Sequence, residues 1–237
     1  MLDRINTFRW QSITETLLNA LKRFPVAATA TIGLCISLLL LVNLPYEQVK
    51  GSILYEPSYW YVWVGALPLA ASIVLCFENR LNPTIRHSVS LLAVLLWSLY
   101  GYISNDTPEH FFGALAFIAP IVTFFSSLFW VAFLKKDTDT SFWNFSYLLC
   151  IQILTGLLFA SVLAAGLSLA LFSTDTLFGC EFKSEMYSNI HVLCYTLFFP
   201  FYLLGNIPIA SITETKARSF AQAWKILGLY ILLPLLI

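Results

Sequence analysis

Apolar residues in this chain run in blocks of about 20, and the charged residues lie almost entirely between the blocks. At about 1.5 Å of rise per residue, such a block matches a hydrocarbon core about 30 Å thick. A chain of 237 residues with 59% hydrophobic content could instead be one large soluble domain, but its apolar residues would then follow amphipathic patterns, and they do not. Seven blocks stand out, at 26–42, 59–77, 88–103, 111–134, 142–172, 190–209 and 220–237. Segments isolated in lipid must satisfy their backbone groups internally, which selects helices. The expected fold is therefore an all-α integral membrane protein with about seven transmembrane helices. The fifth block, as one helix, would be about 46 Å long, more than a bilayer needs, yet each half of it would be too short to span. One long helix is expected there, tilted or projecting, anchored at the inner headgroups by Trp143 and Tyr147.

The formal net charge is zero, but the cations are not evenly placed. With the N-terminus in the cytoplasm, eleven of the thirteen Lys and Arg residues fall on the inner side, and only Lys50 and Lys183 lie outside. Glu47, Glu56, Asp106, Glu109, Asp175, Glu181 and Glu185 make the outer face acidic. Residues 1–24 are neither a span nor a cleavable signal, since no small-residue cleavage site follows a short apolar core. Leu2, Ile5, Phe8, Ile13, Leu17, Leu21 and Phe24 recur at three to five residues among charges, which predicts an amphipathic helix on the inner leaflet ending at Pro25. Residues 25–237 then form a single polytopic membrane domain, with no linker or fixed-period repeat.

Four blocks contain proline: Pro68 lies in the second, Pro120 in the fourth, Pro200 and Pro208 in the sixth and Pro234 in the seventh, and the sixth carries FFPFYLLGNIPIA. Proline removes a helical hydrogen bond and crowds the preceding turn, and neighbours in a bundle can satisfy the freed carbonyl. Pro200, Gly205, Asn206 and Pro208 are thus a candidate hinge or half-helix junction, with Asn206 facing a cavity. The simpler alternative is that Pro200 bends the helix for packing and Pro208 ends it at the inner surface. Gly156, Ala160, Ala164 and Ser168 recur every fourth residue and let helix backbones approach closely, within the chain or between copies. Gly65, Ala66, Ala70 and Ala71 offer a second smooth face.

The order of KRFP before the first block, LPLAASIVLCFENR closing the second, a long fifth block leading to TLFG, then LFFPFYLLGNIP and KILGLYILLPLLI, resembles a bacterial membrane family known as domain of unknown function 4153. The resemblance covers most of the chain and implies a bacterial inner-membrane protein. Members are typically longer, so a chain stopping at Ile237, inside an apolar run, is expected to be a short or truncated member. The family brings no reaction, substrate or catalytic residue.

Chemistry-bearing patterns are sparse. No HExxH, GxSxG, Walker loop or intramembrane aspartate pair occurs, so no enzyme activity and no cofactor are expected. The block centres hold no ionisable residue, which disfavours proton-coupled transport. Asp106, Glu109 and His110, with Asp175, Cys180, Glu181, Glu185, His191 and Cys194, collect on the outer side without the tight spacing of a metal site, and no metal is expected. Cys180 and Cys194 share the oxidising side and are candidates for a disulfide. Tyr59, Trp60, Tyr61 and Trp63 read as headgroup anchors. Lacking a basic stripe on a soluble domain, the chain is not expected to bind nucleic acid. Its expected partners are the lipid bilayer and either another membrane protein or further copies of itself. Two functional expectations result: a scaffold, sensor or assembly partner, or a permease or permease subunit for a small uncharged or weakly polar solute.

Overall fold

A computed structural model describes residues 17–52, 54, 56–78, 80–103, 111–133, 139–179 and 182–208. Among them there is no strand, and each of the first six apolar blocks is a helix. We number these α1 (Pro25–Asn43), α2 (Pro57–Phe77), α3 (Pro83–Ile103), α4 (Phe111–Trp130), α5 (Asp139–Phe178) and α6 (Ser184–Asn206). Four segments are long and apolar enough to cross a membrane: Pro25–Asn43, Tyr59–Phe77, Phe142–Phe178 and Ser184–Asn206. α3 has the length but opens on a turn containing Arg86 and His87, and the apolar helical stretch of α4, Leu115–Trp130, is shorter. The expected seventh span, 220–237, lies outside the described residues, as does the expected surface helix up to residue 16.

Local sequence explains the helix ends. α1, α2 and α3 each begin with proline, whose missing N–H costs nothing in a first turn. Phe24, preceding Pro25, is forced out of helical geometry (φ −131°, ψ 56°). It interrupts a helical segment at 17–23 without detaching it, because the Ala28 N–H still donates to the Phe24 carbonyl. α5 is one unbroken helix of 40 residues, about 60 Å long, which extends the expected fifth span at both ends.

Consecutive helices alternate in direction. Arg23, Glu78 and Pro208 meet at one end of the bundle, while Asn43 and Asn189 exchange hydrogen bonds of 2.8 and 3.0 Å at the other. The Trp97 indole donates to the Val62 carbonyl between α3 and α2, and the Tyr100 hydroxyl to Ala116 between α3 and α4. α2 is the centre of the first four helices; α1 packs on it and on α6, which also pairs with α5.

Burial is arranged as lipid requires. Ala27, Ala28, Ala66, Ala70, Ala71 and Ala160 are all at most 1% exposed, whereas Leu91, Leu92, Leu95, Leu96 and Leu99 of α3 are at least half exposed. Lipid tails are as apolar as leucine, so leucine gains nothing by turning inward, while small residues allow close helix contact. The smooth face of α2 is used in this way: a Cβ on Gly65 would lie 2.7 Å from the Trp97 indole nitrogen.

The aromatic cluster opening α2 departs from expectation. Tyr61 stacks on Phe117 with ring centres 5.1 Å apart, the Tyr59 hydroxyl bonds to Ser37 at 2.7 Å, and the Trp63 ring lies against Gly33. These rings serve packing between helices as well as any headgroup contact. Trp143 and Tyr147, by contrast, are 69% and 63% exposed near the start of α5.

Candidate functional site

The sixth block answers the question that its prolines raise. Pro200 does not break the helix. Its ring leaves no room for the carbonyl four residues earlier, and the backbone widens into a π turn over Leu193–Phe198, where the Phe199 N–H donates to the carbonyl of Cys194. Helical geometry then resumes over Phe199–Asn206. The chain leaves the helix at Ile207 (ψ 124°), as a residue before proline must.

Beyond that end, Arg23 donates to the carbonyls of Ile207 and Pro208. The same guanidinium holds both carboxylate oxygens of Glu78, at 2.6 and 2.8 Å, and lies 4.9 Å from the Phe24 ring centre. It ties the N-terminal segment, the end of α2 and the end of α6 together. Placing a cation at the C-terminus of α6 also suits the helix dipole. Arg23 and Glu78 thus form an ion pair that is largely buried.

Beside this junction lies a cavity of about 400 Å³, within the size range of small-ligand sites. Three of the four residues of the candidate hinge, Gly205, Asn206 and Pro208, line it; Pro200 is buried in the helix and does not. The Asn206 side chain donates to the Tyr202 carbonyl at 2.8 Å. Lys22, Arg23 and Arg86 also line it, with Asn19 and with Leu148 and Gln152 from α5. No lining side chain is acidic.

Two lining groups carry unmet demands. Arg86 is 8% exposed, and its Nε has no hydrogen-bond partner among the described residues. Gln152 is 2% exposed, and its Oε1 likewise has none. Lys22 and Arg86 also have no carboxylate partner among the described residues, so the cavity wall is net positive. Sequence reading passed over both. Arg86 was one of eleven inner-side cations, with nothing in its spacing to distinguish it. Gln152 left a fainter signal, an amide inside a block of lipid-spanning length.

The remaining candidates fall elsewhere. Gly156, Ala160 and Ala164 are buried on α5, and Ser168 is half-buried. A Cβ on Gly156 would lie 2.7 Å from Tyr202 Cδ1, and the Tyr195 hydroxyl reaches Ser161 at 3.0 Å, so this face of α5 is occupied by α6 of the same chain. Cys194 is a buried thiol within the π turn. Cys180 lies outside the described residues, and the expected disulfide with it; so do Asp106, Glu109, His110 and Glu181 of the outer acidic group. Of that group's described members, the Asp175 carboxylate accepts from the Phe182 N–H at 3.3 Å and His191 Nδ1 lies 2.9 Å from the Tyr187 carbonyl. No three His, Cys, Asp or Glu residues among the described ones are grouped to hold a metal ion. No protein-family model matches the chain, and neither does any curated protein or solved structure.

Proposed function

We propose that this is a non-enzymatic multi-pass protein of a bacterial inner membrane, acting as a sensor or assembly partner within a larger membrane system. In this reading the N-terminus is cytoplasmic, residues 1–24 lie on the inner leaflet, and seven helices cross, the last being 220–237. The motifs that resemble domain of unknown function 4153 belong to the same reading. One observation carries it: the middle of the described bundle is filled and the polar cavity is confined to one end. Ala30, Ala66, Trp97 and Phe117 pack together between α1, α2, α3 and α4, and Leu203 and Leu204 of α6 belong to one buried cluster with Ala70 and Ala71 of α2. The cavity reaches no deeper than Gln152 on α5 and Gly205 on α6. A permease needs a polar path to the bilayer midplane.

The permease reading keeps one point in its favour, since Asn206 and Gly205 from the proline-bounded segment do line the cavity. Single cysteines from Phe198 to Ile207 in a cysteine-free protein, labelled with a membrane-impermeant thiol reagent, separate the two. Labelling restricted to 205–207 is expected. A labelled helical face running from 206 back through 198, altered by solute, would replace this proposal with a transport pathway.

A further inference from the structure

The cavity beside Arg23 holds a combination of groups that no contact within the described chain accounts for. Arg86 is more than nine-tenths buried, and among the described residues its Nε has no hydrogen-bond partner and the side chain no carboxylate. Retaining an uncompensated buried guanidinium is costly, and a chain that keeps one ordinarily supplies a counter-anion. Glu78, the acid of the junction, is already held at both oxygens by Arg23. Lys22, also lining the cavity, adds a second cation with no carboxylate partner among the described residues. The cavity therefore has room, positive charge and a fork-shaped donor, which together suit an oxyanion held by two parallel N–H bonds.

Gln152 narrows the class. Its Oε1 is an acceptor, buried without a donor, and a bare anion would not relieve it. The occupant must bring a hydroxyl or other donor close to its anionic group. From this pairing we infer that the cavity binds a phosphate ester carrying a neighbouring hydroxyl, its phosphate on Arg86 and Lys22 and its hydroxyl on Gln152. Two sources share this chemistry: the glycerol phosphate headgroup of an anionic lipid in the inner leaflet, and a free sugar or polyol phosphate from the aqueous side. Leu17, Leu18 and Leu21, each at least 42% exposed on the segment that contributes Lys22, would lie beside the acyl chains in the first case.

This inference rests on the cavity being confined to one end of a filled bundle and deepens that reading by naming the ligand. The test uses the full chain in nanodiscs of phosphatidylcholine, with glycerol 3-phosphate added from solution or phosphatidylglycerol incorporated in the disc, and the thermal midpoint and bound phosphate measured for each. A raised midpoint with stoichiometric phosphate in either arm is expected, and the responding arm identifies the source. Arg86→Gln should weaken that binding at least tenfold. Lys22→Gln, at an exposed position that tolerates change, should weaken it severalfold and flatten its salt dependence, so the result does not hang on one buried substitution. Gln152→Leu should reduce discrimination against phosphate lacking a hydroxyl. No response to either probe, or a response unchanged in Lys22→Gln and in folded Arg86→Gln, overturns the inference and leaves the filled bundle untouched. Binding accompanied by uptake of glycerol 3-phosphate into proteoliposomes would keep the ligand and overturn the reading of a bundle without a transport path instead.

Discussion

Arg23 divides one guanidinium among three segments that are remote in sequence. Its partners Glu78 and Ile207 are 55 and 184 residues away. The side chains of Arg23 and Glu78 are only 16% and 17% exposed, so removing one partner leaves the other charge largely desolvated. Arg23→Met should cost on the order of 3 kcal/mol, read as a lower thermal midpoint in detergent. Arg23→Lys should recover part of that loss, because an ammonium is a point charge and cannot hold two carboxylate oxygens and two carbonyls in one plane. Adding Glu78→Leu to Arg23→Met should raise the midpoint above that of the single variant, since no stranded carboxylate remains. Equal midpoints for all three variants and the parent would remove the junction from the account of stability. At this scale the sequence was least informative. Counting cations by side assigned Arg23 and Arg86 the same role, because orientation rules depend on number and place, while pairing depends on distances set by helices far away in the chain.

At the scale of the element, the pairing of α5 with α6 depends on one missing side chain. Tyr202 and Phe199 occupy the space a Cβ on Gly156 would need, so Gly156→Leu must push α6 outward or force Tyr202 off its rotamer. A loss of about 1–3 kcal/mol is expected, with partial relief when Tyr202→Ala is added. The oligomeric mass by light scattering should not change, because the small-residue face is already filled from within the chain. A dissociating oligomer would show instead that the ladder joins copies. Much of this was legible from the fifth and sixth blocks. The four-residue recurrence of Gly156, Ala160 and Ala164 marked a face, and length alone indicated one long α5 rather than two short spans. What could not be read was the use of that face, since spacing is the same for an internal partner and an external one. Pro200 was half legible: a backbone disturbance was expected, but its form was set by packing, because a π turn keeps Leu203 and Leu204 buried where a break would expose freed carbonyls to lipid.

The molecule as a whole is ordered by alternation, and this makes its two ends separable by experiment. The contacts that join Arg23 to Glu78 and Pro208, and Asn43 to Asn189, require that residues 23, 78 and 208 share one side and residues 43 and 189 the other. Cysteines at positions 43 and 189 should therefore cross-link with a short bifunctional maleimide, since the two side chains are in hydrogen-bonding contact, while a 23/189 pair should not. In the proposed orientation, with the N-terminus cytoplasmic, the charges set the side each end should face. Glu47→Cys and Lys183→Cys should react with an impermeant thiol reagent in intact cells, and Arg80→Cys only after the membrane is opened. Position 183 is the discriminating one. It follows α5, so its sidedness reports whether the 40-residue helix crosses once. Were it labelled only after permeabilisation while 47 labelled in intact cells, α5 would begin and end on the same side. α6 would then have to be inverted against α1, in conflict with the Asn43–Asn189 contact. Agreement of the cross-link with the labelling pattern would place the basic cavity, with Lys22 and Arg86 in its wall, at the cytoplasmic face, where both anionic headgroups and phosphorylated solutes are found.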